Sequence, residues 1–316
     1  MGKRVCIIGG TGFVGRAVAQ QCLDAGYAVT VTTRHPARAR DLLIKGIRII
    51  KIDITTGKGL SDAVQHCDCV INLVGLLFES GKNTFAAAHQ QGADHVIQAC
   101  QAAHVPQLLH MSALLDQESA QHSQYASSKI AAEQAVQSSG LQWSIFRPSL
   151  IFGAKDSFLM RFKNLSTFGP FLPVIAGNTR FQPIWVDDVA RAFVLSINNK
   201  LTHQQTYTLA GSEVYSFKEL LTLWMSALGR CRLLLAVPHV AATFLSLVSK
   251  LLPTPLLTSD QLKLLQFDNI AQGQAFPALF GQTTPFASLL PKLAKDNQSQ
   301  YLQHQLDDAR TRYRQS

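Results

Sequence analysis

Acidic residues are scarce in this sequence: 20 Asp and Glu stand against 29 Lys and Arg over 316 residues, and charged residues reach only 16%. With 47% apolar residues, this composition excludes a disordered, self-repelling chain and supplies a substantial core. The surplus of +9 favours anionic partners, whether phosphorylated cofactors, anionic lipid surfaces or nucleic acid. It is spread along the chain, with local concentrations at Arg34–Arg38–Arg40 and Arg310–Arg312–Arg314. No basic run is interleaved with aromatics, which argues against nucleic acid as a partner. A metal-type cysteine pairing is also missing. Cys6, Cys22, Cys67, Cys69, Cys100 and Cys231 fit no ligand spacing, since Cys67-x-Cys69 is one residue short of the usual gap. They read as small buried hydrophobes in a reducing compartment. His89, His95 and His104 share a helical stretch but pair with no carboxylate at ligand spacing, so they read as surface or satisfied histidines and no metal site is expected. Finally, there is no long unbroken apolar run. The longest uncharged stretch, between Arg232 and Lys250, is interrupted by Pro238 and His239, so no membrane-spanning helix is expected. Met1–Arg4 leads straight into a strand, so no targeting segment is expected. The expectation is a cytoplasmic protein, peripheral on the inner membrane if it docks there.

What is present is an alternation. Val5–Ile8, Ala28–Thr33, Ile47–Ile52, Val70–Val74, Gln107–Met111 and Trp143–Phe146 are short, β-branched or aliphatic, and read as strands. Between them Val14–Ala25, Leu60–Cys67, Thr84–His104 and Ser123–Ser139 carry helical spacing, with Gly26 and Gly140 placed to end helices. Such alternation predicts an α/β fold: a Rossmann doubly wound parallel sheet with helices on both faces and right-handed crossovers. After Pro148 the pattern loosens into a Phe-, Pro- and Gly-rich stretch with one short helix near Ser157–Leu165. A strand and helix return over Phe181–Ile197, followed by a strand at Thr206–Leu209. Capping boxes at Ser216–Glu219 and Thr258–Gln261 open two later helices. Residues 1–150, with 180–210 returning to them, form the expected dinucleotide-binding domain. Residues 151–179 and 211–294 form a smaller, mostly helical substrate or interaction lobe, and 295–316 a polar tail.

Gly9, Gly12 and Gly15 stand at G-x-x-G-x-x-G spacing between the first strand and the first helix. Gly9 allows the turn, Gly12 lets backbone approach a pyrophosphate, and Gly15 lets the helix pack close. The pyrophosphate then meets unpaired amides around Thr11, Phe13 and Val14 at a positive helix end. The second strand ends Thr32-Thr33-Arg34-His35, with no carboxylate before Asp41 to accept from ribose hydroxyls. Arg34 can instead pair with a 2′-phosphate, so the cofactor reads as NADP(H) rather than NAD(H). Asp53-Ile54 should border the adenine, and Leu73-Val74-Gly75 the nicotinamide ribose.

Tyr125 and Lys129 lie four residues apart, on one helix face after the fifth strand. A neighbouring ammonium is expected to lower the tyrosine pKa, so that Tyr125 exchanges a proton with substrate while Lys129 holds the ribose.

Together these features resemble the extended and atypical short-chain dehydrogenase/reductase superfamily, which includes the NAD-dependent epimerases and dehydratases. The likeness rests on the Gly9–Gly15 loop, Tyr125 with Lys129, and Arg147-Pro148-Ser149. Further segments narrow it: Arg147-Pro-Ser-Leu-Ile-Phe-Gly153, Phe158-Leu-Met-Arg-Phe162, Arg180-Phe-Gln-Pro183, Val186-Asp-Asp-Val-Ala190, Thr258-Ser-Asp-Gln-Leu262 and Asp268-Asn269. In that order they are similar to the NAD(P)H-binding alpha-subcomplex subunit 9 family of respiratory complex I and its bacterial relatives. The resemblance implies NADPH binding, with Pro148 at the cofactor and, for the mitochondrial member, a mainly structural role. One departure stands out: the hydroxyl that active members carry after the fifth strand falls here on Ala113, and Ser112 or Ser123 would have to substitute.

Two function classes follow. One is an oxidoreductase or epimerase using Tyr125, Lys129 and Ser112 on a small substrate, apolar or quinone-like given the Phe- and Leu-rich lobe. The other is an accessory, assembly or sensor protein that holds NADPH as a structural ligand in a respiratory-chain complex. The apolar stretch Leu233–Leu252 reads as a helix lining the lobe, or as a face toward a membrane or partner.

Overall fold

The structure, a computed structural model, describes residues 2–81, 83–154, 156–238 and 258–295. Strands β1 (Arg4–Ile8), β2 (Ala28–Thr33), β3 (Arg48–Lys51), β4 (Cys69–Asn72), β5 (Gln107–Met111) and β6 (Gln142–Pro148) come first. Short strands β7 (Ile151–Phe152), β8 (Phe171–Val174), β9 (Arg180–Phe181) and β10 (Ile184–Trp185) precede β11 (Gln205–Leu209). The last are β12 (Tyr215–Ser216) and β13 (Leu233–Ala236). A seven-stranded sheet runs in the order β3-β2-β1-β4-β5-β6-β11, every pair parallel. The chain crosses the sheet between β3 and β4, so a crevice opens past the carboxyl ends of β1 and β4, where doubly wound sheets bind ligands.

Both faces of the sheet are buried, and the alternation of side chains sorts them into two cores. Val5 and Ile7 point toward the helices Phe13–Asp24 (α1) and Val186–Ser196; Cys6 and Ile8 point the other way. The second face is covered by α3 (Leu60–Val64), α4 (Gly92–Ala102) and α6 (Gln124–Gln137), while α2 (Arg40–Ile44) lies at the β2–β3 connection and α5 (Gln117–His122) precedes α6. The lobe contains α7 (Ser157–Leu165) and α9 (Phe217–Ala227), while α8 (Val186–Ser196) returns to pack on α1. Trp224 fills the lobe's own core with Phe217, Leu172, Leu159 and Phe286, and its indole Nε1 donates to Leu159 O at 2.9 Å.

The expected strands Ala28–Thr33 and Gln107–Met111 and the helix Ser157–Leu165 have the observed bounds. Both capping boxes form, at Ser216–Glu219 and at Thr258–Gln261 ahead of the helix Ser259–Leu264. The stretch expected as one helix over Thr84–His104 begins with a π-helical section, Ala86–Gln91, before α4. The expectation for Leu233–Leu252 needs correction where the structure describes it. Its first four residues form β13, because Leu233–Ala236 finds the free edge of Phe171–Val174 and pairs with it in parallel. Residues 239–252 of that stretch, and the tail beyond Lys295 with its arginine cluster, lie outside the described residues.

Candidate functional site

The residues singled out along the sequence converge on one edge of the sheet. Gly9–Gly15 follows β1, Arg34 follows β2, Asp53 and Ile54 follow β3, Leu73–Gly75 follow β4, Ser112 follows β5 and Pro148 ends β6. Every one is therefore at the carboxyl edge, around the crevice between β1 and β4.

The loop after β1 is shaped by what its glycines lack. Gly9 holds a left-handed φ of +82°, and a Cβ on Gly15 would stand 2.4 Å from Gly9 O and 2.5 Å from Gly10 Cα. Only a bare backbone lets α1 start so close to the strand. Gly12 is the N-cap and offers no side chain, so the first-turn amides of Phe13, Val14 and Gly15 are left to an outside acceptor. A glycine cradle leading to an uncapped helix start fits a pyrophosphate in shape and in charge. The Phe13 ring closes the far side, packed so tightly on Gly153 that a Cβ there would meet it at 2.8 Å.

At the end of β2 Arg34 is exposed and donates from Nη1 to Asn83 Oδ1 at 2.6 Å. Beside it the Thr11 hydroxyl reaches Thr33 Oγ1 at 3.4 Å, tying the glycine loop to the strand end. The nearest downstream carboxylate, Asp41, is engaged in an ion pair with Arg16, whose Nε also donates to Thr11 O at 3.1 Å. The carboxylate is thus answered by a cation of its own, and Arg34 keeps its positive character at the mouth. The part of Arg16 had no signal in the sequence, because its partner is 25 residues away. Asp53 folds into a local turn, its Oδ1 accepting from Thr55 N at 3.0 Å and Thr55 Oγ1 at 2.7 Å. Ile54 is buried, and its carbonyl accepts from His95 Nδ1 at 2.8 Å.

Lys129 reaches from α6 under the ends of β4 and β5. Its Nζ donates to Met111 O at 3.1 Å and Val74 O at 3.4 Å, and a Cβ on Gly75 would lie 3.5 Å from it. Burial lowers the ammonium to about 8, partly countered by Glu133 one turn on. Glu133 is itself held by Arg147 of β6, whose Nε lies 3.0 and 3.1 Å from its two oxygens. Tyr125 behaves opposite to expectation. Its phenol is pushed up to about 12, first by burial and then by the Asp260 carboxylate. Lys129 spends its hydrogen bonds on backbone carbonyls rather than on a phenolate, and the Tyr125 phenol stays neutral over the physiological range.

Three residues to which the sequence assigned no role at the site, His89 among them as a surface or satisfied histidine, organise this corner. His89, in the π-helical section, accepts from Leu76 N at Nε2 (2.9 Å), which fixes the proton on Nδ1 to donate to Ser128 Oγ at 2.8 Å. Ser128 in turn donates to Tyr125 O at 2.8 Å, and the imidazole meets the Tyr125 ring edge-on at 5.4 Å. Burial and Lys129 drop His89 to about 3, so it stays neutral as this geometry requires. π-Helical turns recur where a side chain must be aimed inward. Asp260, from the C-terminal lobe, accepts from Ser123 Oγ (2.7 Å), Gln124 N (2.9 Å) and Tyr125 N (3.2 Å), so its carboxylate sits on the positive end of α6. His110 accepts from Asn72 Nδ2 at Nδ1 (3.3 Å), because Asn72 Oδ1 already takes Val74 N; its Nε2–H is left without an acceptor.

Ser123 is committed by these bonds, since its hydroxyl also caps α6 by accepting from Ala126 N. Ser112 is not. Its Oγ is buried and, with His110 Nε2 two residues away on the same face of β5, is among the few buried polar atoms of the described residues lacking a partner. A donor left unsatisfied beside a cleft is where a ligand oxygen would bind. Pro148 contributes backbone: its carbonyl accepts from Leu114 N at 2.8 Å. Ser149 then bonds Asn269 O and Oδ1 at 2.8 and 2.7 Å, and Asn269 Nδ2 reaches Leu114 O at 2.8 Å, closing the lobe onto the β5 loop.

Residues 9–157 match the NAD(P)H-binding family, and the chain has the Rossmann-like α/β fold shared by NAD(P)-binding reductases and epimerases of known structure. More narrowly, it is similar to the complex I alpha-subcomplex subunit 9 proteins. It is 27% identical over 222 residues to mitochondrial NADH dehydrogenase (ubiquinone) 1 alpha subcomplex subunit 9 of Dictyostelium discoideum, covering 69% of this chain and 62% of that protein. It is 30% identical over 194 residues to the ceramide reductase of Caulobacter vibrioides, covering 60% and 59%. The chain thus spans under two thirds of the length of either relative. Among solved structures, an Escherichia coli NADPH-dependent quinone oxidoreductase complexed with NADPH superposes with a TM-score of 0.72 at 20% identity, over 92% of this chain and 99% of that one, which shows the fold.

Proposed function

We propose that this protein binds NADP(H) in preference to NAD(H) and acts as an oxidoreductase or epimerase on an apolar or quinone-like small molecule. The observation that supports the reading is Lys129, held on Met111 O next to the partnerless Ser112 hydroxyl and 3.5 Å from where a Cβ on Gly75 would stand, with Tyr125 one turn before it on α6. Bound NADPH supplies the hydride. Tyr125, neutral because burial and Asp260 raise its pKa, delivers the proton to the oxygen of the reduced carbonyl. Ser112 and the Nε2–H of His110 are the donors available to a carbonyl oxygen, in place of the missing hydroxyl at Ala113. Lys129 anchors the nicotinamide ribose, and Arg34 the 2′-phosphate. The free cysteines, five of them buried, suit a reducing compartment such as the cytoplasm.

The test is NADPH oxidation against a panel of quinones and long-chain ketones, wild type against Tyr125→Phe. Loss of turnover by about a hundredfold with NADPH affinity unchanged is expected; equal rates would remove the proton-donor role. The alanine at position 113 favours a second reading, in which NADPH is a structural ligand of a respiratory-chain accessory or assembly protein, as the similarity to subunit 9 suggests. Copurification with respiratory-chain subunits, unaffected by Tyr125→Phe, is its expected signature.

A further inference from the structure

Far from the crevice the lobe exposes an apolar surface that the cofactor reading does not use. Strands β8 and β13 pair with Leu233 opposite Phe171 and Leu235 opposite Pro173, so these four side chains share the outer face of a two-stranded ribbon. Leu172 and Val174 point inward and are buried in the lobe core. The outer set is not: Phe171 is 56% exposed, Leu233 60% and Leu235 44%, and Phe168 in the turn leading to β8 is 87% exposed. Large apolar side chains clustered at one place mark a binding surface, whereas single ones do not.

The segments that build the ribbon carry charge of one sign. Residues 157–179 and 220–238, which form α7, β8, most of α9 and β13, contain no Asp or Glu, and they carry Arg161, Lys163, Arg230 and Arg232. Three of these cations gather at the turn that bears Phe168. Arg230 donates to Lys163 O at 2.7 Å and Ser166 Oγ at 2.6 Å, and Arg232 Nε to Ser166 O at 2.8 Å. Lys163 is lowered by burial and by Arg230, the mark of like charges held together. Neutral acceptors fix these guanidinium groups in place without cancelling their charge. The sequence continues in the same composition through residues 239–257, whose one charged residue is Lys250.

We infer that this ribbon is a membrane-docking surface that inserts Phe168, Phe171, Leu233 and Leu235 at the interface of an anionic lipid bilayer, with Arg230 and Arg232 on its headgroups. Apolar side chains beside fixed guanidinium groups, on segments that carry no carboxylate, match the apolar interior and negative surface of such a bilayer together. No helix of the described residues is long and apolar enough to cross a membrane, so the contact is interfacial. The inference is independent of the cofactor assignment, since no residue of the ribbon lies at the carboxyl edge of the main sheet.

The test is co-sedimentation of the full chain with phosphatidylcholine vesicles, with or without phosphatidylglycerol. Binding to the anionic vesicles alone, weakening with salt, is expected. Phe171→Ser and Leu233→Ser should each reduce it about tenfold, the cost of losing one large buried apolar side chain, while NADPH binding stays at the wild-type level and reports an intact fold. Absence of vesicle binding, or wild-type binding by a variant carrying both Phe171→Ser and Leu233→Ser, overturns the proposal. So does a dimer in light scattering that Phe171→Ser dissociates, which would assign the face to a second copy of the chain.

Discussion

The carboxyl edge of the main sheet and the C-terminal lobe are built on opposite principles. At the edge, function sits on backbone: glycines at Gly9, Gly12 and Gly15, a helix start without a cap, carbonyls of Val74 and Met111 that hold Lys129. In the lobe, side chains tie distant segments together, as Asp260 does to α6 and Asn269 to Ser149 and Leu114. The edge tolerates little change in shape, because nothing there can be moved aside. The lobe, through Asp260, decides where Tyr125 stands.

The sharpest way to break that contrast is with two alanines. Gly15→Ala places a Cβ 2.4 Å from Gly9 O, and Gly211→Ala places one 2.0 Å from Pro183 O. The first is expected to cost NADPH affinity by about a hundredfold or more, since the loop must open to admit it. The second should lower the melting temperature by several degrees, roughly 4 °C or more, while NADPH affinity stays near wild type. A next step down is Asp260→Ala, which strips α6 of its carboxylate cap: about 1–2 kcal/mol of stability is expected to go, with a slower turnover at unchanged NADPH affinity. Calorimetry and fluorescence titration separate these outcomes.

Two buried groups give pH-dependent versions of the comparison. Asp156 caps α7 and is raised by burial from 3.8 to about 7. Its folded-state pKa exceeds the unfolded one, so the folded chain holds the extra proton between those values and stability falls as pH rises through that window. Asp156→Asn keeps the cap and should gain on the order of 1–2 kcal/mol at pH 8 relative to wild type, and little at acid pH. Lys129 is lowered from 10.5 to about 8. Its ammonium is lost as pH rises through about 8, so NADPH affinity is expected to weaken there, and Lys129→Met should flatten the profile. The same shift makes folding stability rise with pH between 8 and 10.5, because the unfolded chain then binds the extra proton.

The edge was legible in the sequence because its determinants are local. The strand-glycine-helix run, the two exact strands Ala28–Thr33 and Gln107–Met111, and the Tyr125–Lys129 spacing all lie within a few residues of what they specify. Its electrostatics were less so. The Tyr125 shift comes first from burial and then from Asp260, 135 residues further on, and the role of His89 depends on a helix that locally widens to π geometry. The lobe was hard to read for the same reason throughout. Leu233–Ala236 looks helical by composition and becomes a strand because Phe171–Val174, some sixty residues earlier in the chain, presents an open edge.

The central claim is that the carboxyl edge is an NADP(H) site selected by Arg34. Fluorescence titration of NADPH and NADH against wild type and Arg34→Asp tests it most directly. The account predicts that wild type favours NADPH by about tenfold or more and that Arg34→Asp removes that preference. Equal affinity for the two cofactors in wild type, or an unchanged preference in the variant, would contradict it.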